Sequence, residues 1–434
     1  MTNFYPSLDF ARLLDQQDPL ASYREQFVAN DPDLIYLDGN SLGRLPKSVV
    51  ERMRKAVETE WGTDLIRGWN KGWWDSPSRI GDRIGTLIGA APGQVVAGDQ
   101  TSINLFKLAT AALTLQPHRK RIISDTFNFP SDLYILQGIV KLLAPSPILK
   151  EGRRGGYEII RIGSMDNDIT PDLAALEAAI DEDTALVTLS HVTFKSGYLY
   201  DMAAITELAH RKGALVLWDL SHSAGAVPVE LDRSNADLAI GCTYKYLNGG
   251  PGSPAFLYVN KRLQNDVTSP IWGWWGQKHP FEFDLDYQPA PGVQRFLAGT
   301  APILSTLAME EALTPLLQAG MEAIRAKSVL MTDYAAYLTD EWLAPLGFSL
   351  GSPRDSVRRG SHISLRHVDG YRINRAMIEE MNVIPDFRAP DNIRLGFAPL
   401  YISFTDIWEG FDRIRKVVEK KIFEKYPKQR LTVT

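Results

Sequence analysis

The middle of the chain alternates short runs of β-branched residues with segments of helical periodicity. Strand patterns are predicted over residues 121–125 (RIISD), 185–192 (ALVTLSHV), 214–219 (ALVLWD), 236–244 (ADLAIGCTY) and 254–260 (PAFLYVN). Helical patterns separate the earlier strands, first SDLYILQGIVKLL and then DMAAITELAHRKG. Regular succession of strand and helix is typical of a parallel sheet with helices on both faces. The pattern therefore predicts an α/β fold with a mostly parallel central sheet.

The pattern changes near Thr300, where long helical segments begin and are followed by several short strands. This change predicts a second, smaller α/β domain, since a single core stops growing well before 434 residues. The predicted division is an N-terminal segment associated with the small domain (1–60), a large domain (61–305) and a small C-terminal domain (306–434). The Gly- and Arg-rich segment 149–168 is predicted to be a hairpin insertion.

Composition and charge exclude several classes of protein. The chain has 47 Lys+Arg against 52 Asp+Glu, a net charge of 47 − 52 = −5, so nucleic acid is not an expected partner. Its single cysteine, Cys242, excludes an intrachain disulfide and a four-cysteine metal site. No apolar run approaches the ~20 residues of a membrane helix, and the first twenty residues have no export signal. We therefore expect a cytoplasmic protein with no membrane association.

Metal and nucleotide motifs are also missing from the sequence. The seven histidines do not cluster at metal-ligand spacing, and no GxxxxGK[ST], HExxH or GxSxG string occurs. The glycine-rich stretch NGGPGSP lacks the spacing of a dinucleotide fingerprint. We therefore predict no metal.

Two strand ends carry residues whose combination indicates a particular cofactor. Asp219 ends one predicted strand, and Lys245 follows the next one 245 − 219 = 26 residues later. Asp219 alone could be a helix cap and Lys245 alone a surface turn residue, but ligands of open α/β sheets bind at the carboxyl ends of strands. A buried lysine can form a Schiff base with an aldehyde, and a carboxylate can pair with a pyridinium nitrogen. Together the two predict pyridoxal phosphate (PLP).

Two more segments fit the same cofactor. Pro130 forces Phe129 to be extended, so its ring could stack on the cofactor, and Asp132 follows one turn later. Thr101 and Ser102 open a helical pattern, whose first N–H groups could hold a phosphate. Each feature alone could be core packing or an ordinary cap, so the prediction depends on their convergence.

The strings WDLSHSAGA and TYKYLNGGPGSPAFLYV resemble PLP enzymes of fold type I, in the class-V aminotransferase group. Four further strings, YLDGNSLGRLP, FNFPSDLYILQG, GWWGQ and FRAPDNIRLGFAPLYISFTD, are similar to the kynureninase family, in its bacterial type. The resemblance runs from about Tyr36 to Phe404. It implies a PLP-dependent hydrolase that cleaves L-kynurenine to anthranilate and L-alanine in tryptophan catabolism.

The resemblance also implies which residues contact the cofactor. Lys245 would form the covalent link and later move protons, and Tyr244 would be the proton relay. The remaining contacts would come from Asp219 at the pyridine nitrogen, His222 and Phe129 at the ring, Thr101, Ser102 and Tyr244 at the phosphate, and Ser190 and Asp132 nearby.

Residues for the substrate and for a second subunit follow from the same resemblance. Arg394 would bind the substrate's α-carboxylate, and Asn40 and Ser41 would line the substrate pocket. Trp274 and Thr300 match positions that reach the phosphate from the neighbouring subunit, which implies a homodimer with shared active sites.

Two positions bear on substrate preference. Animal enzymes of the family carry His and Asn near the aromatic ring of 3-hydroxykynurenine, and this chain has Trp69 and Thr300 there. The loss of polar partners for a 3-hydroxyl predicts a preference for kynurenine. Trp69 could equally belong to a tryptophan cluster packed at a dimer interface.

Other functions remain open from the residues alone. A small-amino-acid aminotransferase would share the fold, and so would a desulfurase-like lyase. A desulfurase needs a reactive, mobile cysteine, whereas Cys242 lies within an apolar strand pattern. A PLP-sensing regulator would need a DNA-binding module, for which the residues before Tyr36 are too few and too acidic. A homologue without activity is disfavoured by the joint presence of Lys245, Asp219 and Arg394.

Overall fold

The computed structural model describes residues 3–144 and 156–429. Its first elements are helix α1 (Leu8–Gln16), strand β1 (Ile35–Tyr36), and helices α2 (Lys47–Lys55) and α3 (Ser76–Leu87). Helix α1 begins after Ser7, whose side chain accepts a hydrogen bond from the N–H of Phe10. Ala11 and Leu14, three residues apart, form the buried face of this helix.

A seven-stranded sheet forms the core of the large part of the chain. Its strands are β2 (Val95–Ala97), β3 (Arg121–Asp125), β4 (Glu158–Ile162), β5 (Thr184–Ser190), β6 (Leu215–Asp219), β7 (Leu238–Gly241) and β8 (Phe256–Val259). The order is β2-β8-β7-β6-β5-β3-β4. Strand β8 pairs antiparallel with β2 and with β7, and the other pairings in this sheet of the described residues are parallel. Every residue of β5 is buried, as expected for a strand covered on both faces. The predicted fold class is confirmed.

The helices that follow strands of this sheet are α4 (Thr101–Leu115), α5 (Pro130–Leu143), α6 (Leu173–Ala179) and α7 (Met202–Arg211). The prediction of a hairpin insertion over 149–168 is wrong for the part that is described. Residues 158–162 form β4, which pairs in parallel with β3 at one edge of the sheet, while 145–155 lie outside the described residues. An edge strand needs no continuous apolar run, so its mixed sequence EIIRI did not indicate a sheet strand.

The C-terminal part contains a four-stranded antiparallel sheet with its own helices. The elements of this part of the chain are α8 (Ile303–Ala312), α9 (Thr314–Ala319), α10 (Met321–Leu338), β9 (Ser349–Leu350), β10 (His362–Arg366), α11 (Gly370–Met381), β11 (Val383–Ile384), β12 (Asp386–Arg388), β13 (Asn392–Gly396) and α12 (Phe404–Glu419). The strand order is β12-β13-β10-β9. The long helical pattern over 301–320 is divided into α8 and α9 next to Pro315, which has no N–H to donate.

The N-terminal segment packs on this C-terminal part. Strand β1 pairs in parallel with β11, and the N–H of Gly396 donates to the carbonyl of Leu37 at 2.7 Å. The carboxylate of Asp15 accepts from the first N–H groups of α12, at Phe404 (2.6 Å) and Thr405 (3.0 Å). These contacts agree with an N-terminal segment that belongs with the small domain, while the boundaries near 60 and 305 stay predictions.

A buried ion pair joins the N-terminal segment to α10. The side chains of Asp18 and Lys327 are 3% and 5% exposed and lie 2.6 Å apart, and Lys327 Nζ also donates to the carbonyl of Pro399 at 2.6 Å. Burial lowers the pKa of Lys327, and Asp18 opposes that shift. The ammonium is therefore kept charged by its partner.

We predict that Asp18→Asn lowers the free energy of unfolding by about 3 kcal/mol, because it leaves the buried ammonium of Lys327 without a counter-charge. Urea unfolding followed by tryptophan fluorescence measures this change. The matched control is Asp340→Asn, which removes an exposed partner of Arg354 and is expected to cost less than about 1 kcal/mol. Equal midpoints for the two variants would contradict the importance of the buried pair.

Candidate active site

A cavity of about 430 Å³ lies at the carboxyl edge of the seven-stranded sheet, between α4, the turn that follows β1 and the C-terminal sheet. Eleven of the residues expected at the site line it together: Asn40, Ser41, Thr101, Ser102, Phe129, Asp132, Asp219, His222, Tyr244, Lys245 and Arg394. They come from segments spread over more than 350 positions of the chain. The fold therefore brings most of the predicted set to one place.

The N-terminus of α4 opens into this cavity. The helix begins at Thr101 after Gln100, which is extended (φ −119°, ψ 157°) and makes no capping hydrogen bond through its side chain. The first N–H groups of a helix have no acceptor within the helix, and its dipole favours an anion there. The buried ammonium of Lys107, on the same helix, holds Asp99 and the carbonyl of Phe296 (2.6 Å), which fixes the loop before Thr101. This cradle suits a phosphate group.

Lys245 enters the cavity from the turn after β7. Its Nζ lies 3.3 Å from Nε2 of His222. The pKa of His222 is lowered well below its ordinary value, first by burial and then by the charge of Lys245. His222 is therefore a neutral imidazole. The turn after β1 approaches the backbone of Lys245 closely, since a Cβ on Gly43 would lie 2.3 Å from the carbonyl oxygen of Lys245. Only glycine permits that approach.

Asp219 and Asp132 form an acidic pair on the other side of the cavity. Asp219 ends β6, and its Oδ1 accepts hydrogen bonds from the N–H (2.9 Å) and the hydroxyl (2.6 Å) of Ser221. Burial, and then the charge of Asp219, raises the pKa of Asp132 well above its ordinary value, and Lys245 opposes this shift. The environment thus favours a protonated Asp132 beside an Asp219 with hydrogen-bond donors of its own. An ionised carboxylate is what a pyridinium nitrogen needs.

Phe129 lies at the mouth of the cavity with an exposed ring. Its backbone is extended (φ −60°, ψ 136°), as the following Pro130 predicts, and 42% of the residue is exposed. The loop is held from below by Asp125, whose Oδ1 accepts from the N–H groups of Phe127 (2.9 Å) and Asn128 (2.7 Å). An exposed aromatic face on a fixed loop suits stacking on a flat ring.

Tyr244 precedes the lysine and lines the same cavity. The neighbouring thiol of Cys242, and then burial, raises the pKa of Tyr244 above its ordinary value. The phenol therefore keeps its proton and can donate it. Cys242 itself is 3% exposed, and burial raises the pKa of its thiol.

The substrate side of the cavity is formed by the turn after β1 and by β13. Arg394 is 1% exposed, and its Nη2 donates to the hydroxyl of Ser41 at 3.1 Å. Asn40 is fully buried, and among the described residues neither polar atom of its side chain has a partner. Gly396 makes room for this side chain, because a Cβ there would lie 1.9 Å from Oδ1 of Asn40. An unpartnered amide at the wall of a cavity is suited to a polar ligand.

Four predicted residues do not line the cavity. Ser190 lies opposite Asp219 in the sheet register, and its N–H donates to Oδ1 of Asn128 at 2.6 Å. Trp69 and Trp274 pack edge to face with ring centroids 6.3 Å apart, in a cluster with Trp74 and Trp275. Thr300 is exposed. Their predicted roles remain predictions.

Other residues line the cavity without having been predicted, among them Gln100, Ser131, Ser221, Ser253 and Arg388. The position of Ser221 could have been used to predict it, because a serine two residues after Asp219 can donate hydrogen bonds to that carboxylate. Arg388 stands in the same FRAPDNIRLGF string as Arg394, six positions earlier, and only strand pairing reveals that both face one site.

Metal-ligand clusters and membrane-spanning helices are both absent from residues 3–144 and 156–429. In these ranges no three His, Cys, Asp or Glu side chains are grouped so that they could hold a metal ion. The described helices include none with the length and apolarity needed to cross a bilayer.

Comparisons with protein families and curated proteins point to one family. A family model described as the kynureninase C-terminal domain matches residues 324–414, and the DegT/DnrJ/EryC1/StrS aminotransferase family matches residues 153–230. The chain is 44% identical to a kynureninase of Pseudomonas fluorescens over 413 residues, which are 94% of each chain. It is also 44% identical to a kynureninase of Burkholderia pseudomallei over 414 residues, 94% of this chain and 95% of the relative.

Solved structures share the fold at low identity. The apo cysteine desulfurase of Thermococcus onnurineus has a TM-score of 0.73 at 18% identity and covers 97% of this chain and 100% of its own. A variant of the lyase C-DES, with glycine covalently linked to its PLP cofactor, has a TM-score of 0.74 at 19% identity and covers 90% and 98%. The predictions of a fold-type I enzyme and of PLP as its cofactor are confirmed. At 44% identity over nearly its whole length, the chain belongs to the kynureninase family.

Proposed function

We propose that this chain hydrolyses L-kynurenine, with one water molecule, to anthranilate and L-alanine. The observation that carries the proposal is the meeting of Lys245, Asp219 and Arg394 in one cavity of a chain that is 44% identical to kynureninases. A nucleophilic amine, a partner for a pyridinium ring and a carboxylate receptor are what an amino-acid substrate of a PLP enzyme requires.

Different residues around the cavity bind different parts of the cofactor in this proposal. PLP supplies an electron sink for the bonds of the substrate's Cα. The N–H groups at Thr101 and Ser102 would hold its phosphate, Asp219 would pair with its ring nitrogen, and Phe129 would stack on its ring. Ser190 is proposed to support this arrangement from the strand next to Asp219.

Proton transfer is assigned to Lys245 and Tyr244. Lys245 Nζ takes the proton from the substrate's Cα and returns protons later in the cycle. Tyr244 precedes Lys245 and lines the same cavity, and its raised pKa keeps the phenol protonated, so it is assigned the relay of a proton to the departing fragment. His222, held neutral beside Lys245, adds no charge that would compete with the ammonium.

The alternative activities have less support. A cysteine desulfurase requires an accessible thiolate, whereas Cys242 is buried and its thiol has a raised pKa. The likeness to solved desulfurases is below 20% identity and concerns the fold. An aminotransferase is separated from a hydrolase by its products, which the first experiment below detects.

We propose a cytoplasmic homodimer in which each subunit completes the other's site. Trp274 and Thr300 do not line the cavity of their own subunit. Exposed apolar side chains stand on the same loop as Trp274, including Trp272 (62%) and Phe281 (64%), as expected for a surface that a partner covers.

We also propose that kynurenine is preferred over 3-hydroxykynurenine. Trp69 and Trp274 are in contact, so a partner that contributes Trp274 to the site would contribute Trp69 with it. An indole and the short side chain of Thr300 would provide few polar partners for a 3-hydroxyl group.

The wild-type protein should be yellow when purified with PLP and should release anthranilate, seen by its fluorescence, when L-kynurenine is added. Lys245→Ala should abolish turnover, a loss of at least about 10³-fold, because the covalent and proton-transfer roles are removed together. The control Lys212→Ala, a surface lysine paired with Glu182, should keep full activity. A yellow protein that leaves kynurenine unchanged would reject the hydrolase.

Mixing two inactive variants tests the shared sites. Subunits with Lys245→Ala and subunits with Trp274→Ala should regain activity when unfolded together and refolded, because one site of each mixed dimer then has both residues intact. The yield should approach a quarter of the wild-type activity if subunits pair at random. A site built within one subunit would give no gain over the separate variants.

The double variant Trp69→His, Thr300→Asn should raise the ratio of kcat/KM for 3-hydroxykynurenine to that for kynurenine by about 10-fold or more, since one good hydrogen bond is worth about that factor. Steady-state kinetics with both substrates measure the ratio. Trp61→His, at an exposed indole outside the Trp69 cluster, is the control. An unchanged ratio would assign Trp69 to interface packing instead.

A further inference from the structure

The guanidinium of Arg394 is almost fully occupied by protein acceptors. Its Nε donates to Oδ1 of Asp386 at 2.7 Å, and its Nη1 donates to the carbonyl of Phe194 at 2.5 Å. Its Nη2 donates to the hydroxyl of Ser41 and to Oδ2 of Asp386. Four of the five N–H bonds of the group are therefore used. Arg394 alone has one N–H left, which is too few for the paired hydrogen bonds that an arginine gives a carboxylate.

Asp386 is fixed in this place by strand pairing. It stands directly opposite Arg394 in the antiparallel register of β12 and β13, which puts the two side chains on one face of the sheet. Arg388, two residues further along β12, projects to the same face and also pairs with Asp386 at 2.7 Å. One carboxylate thus joins two guanidinium groups.

Arg388 has the free donors that Arg394 lacks. It lines the cavity, and its side chain is 33% exposed, against 2% for that of Arg394. Its Nη2 pairs with Asp386 and its Nη1 makes one long contact of 3.4 Å to the carbonyl of Phe387. Its Nε is buried and has no acceptor among the described residues. Three N–H bonds are therefore free, and an unpaired buried donor on a charged group favours an anionic ligand.

We propose that Arg388 is a second substrate-binding arginine, which with Arg394 forms a two-guanidinium receptor for the substrate's α-carboxylate. In this receptor Asp386 orients both guanidinium groups, Arg394 gives its remaining N–H and Arg388 gives the others. The inference rests on the proposed function only in that the ligand is an α-amino acid.

The charges of the cluster agree with one incoming carboxylate. Two guanidinium groups face one carboxylate of Asp386, so the second positive charge lacks a direct partner. A further acid, Asp38, also acts on the charge of Arg388, and burial followed by the charge of Asp386 raises the pKa of Asp38 to about 6. Within the described part of the chain Arg388 forms an ion pair with Asp386 alone, so a substrate carboxylate would be the anion in direct contact with the free N–H groups of Arg388.

The test compares two ligands that differ only in the carboxylate. The holoprotein is titrated with L-alanine and with L-alaninamide, and the apparent Kd is read from the change in the cofactor's visible absorbance. Arg388→Gln should raise the apparent Kd for L-alanine by about 10- to 100-fold, the loss of affinity expected for a charge-assisted hydrogen bond. The same variant should change the apparent Kd for L-alaninamide by less than about 2-fold. Arg388→Lys, which keeps the charge but not the fork, should weaken L-alanine by less than Arg388→Gln does.

The control is Arg354→Gln, at an exposed arginine that pairs with Asp340 and does not line the cavity. It should leave both Kd values unchanged. Equal weakening of the two ligands by Arg388→Gln, or no weakening, would overturn the proposal. Should that variant lose the cofactor band, the Arg388→Lys titration decides by the same comparison. Failure of kynurenine hydrolysis in the wild type would reject the proposed function and leave this ligand comparison intact.

Discussion

Lys245 and the acidic pair Asp219 and Asp132 share one buried cavity, and their charges are interdependent. Two carboxyl groups this close cannot both ionise cheaply, and the ammonium of Lys245 opposes the rise in the pKa of Asp132 that burial and Asp219 cause. Removing the ammonium would therefore favour the protonated form of Asp132 further. The neutral state of His222 has the same origin, because burial and Lys245 act on it in the same direction. The site is organised by charge before any ligand enters.

The parallel sheet is what makes this meeting possible. Strands β3, β5, β6 and β7 all point their carboxyl ends to one edge, so the residues after them converge even though they are far apart in sequence. The opposite wall of the cavity is positioned by antiparallel pairing instead. There an antiparallel register sets Asp386 against Arg394, and the turn after β1 is fixed by its hydrogen bond from Gly396. A cavity between two such sheets can position an amino group on one side and a carboxylate on the other.

Strand ends alone predict the first wall, whereas Asn40, Ser41 and Arg394 of the second wall are predicted only through the family resemblance. A buried parallel strand is a short apolar run whose end can be read, and Asp219 and Lys245 stand at such ends. The edge strand β4 has no such run, and it was missed. Arg388 and Asp386 were missed because the face on which a residue lies depends on pairing with β13, which the spacing of the two arginines does not reveal. The family resemblance places Ser190 near the cofactor, which stays a prediction, and in the structure Ser190 lies beside Asp219 in the sheet with its N–H donating to Asn128.

Trp69, Trp274 and Thr300 do not line the cavity of a single chain. Trp69 and Trp274 contact each other on the surface side of the molecule, away from the cavity. Their indoles pack on Trp275, which is buried in the core, and on Trp74, which packs against that core, so neighbouring rings hold each indole in place. A rigid aromatic group next to exposed apolar side chains is well suited to enter a neighbour's site with little loss of conformational entropy. Substrate preference would then depend on a surface of one subunit, whereas the binding of the cofactor and of the α-carboxylate would depend on the interior of the other.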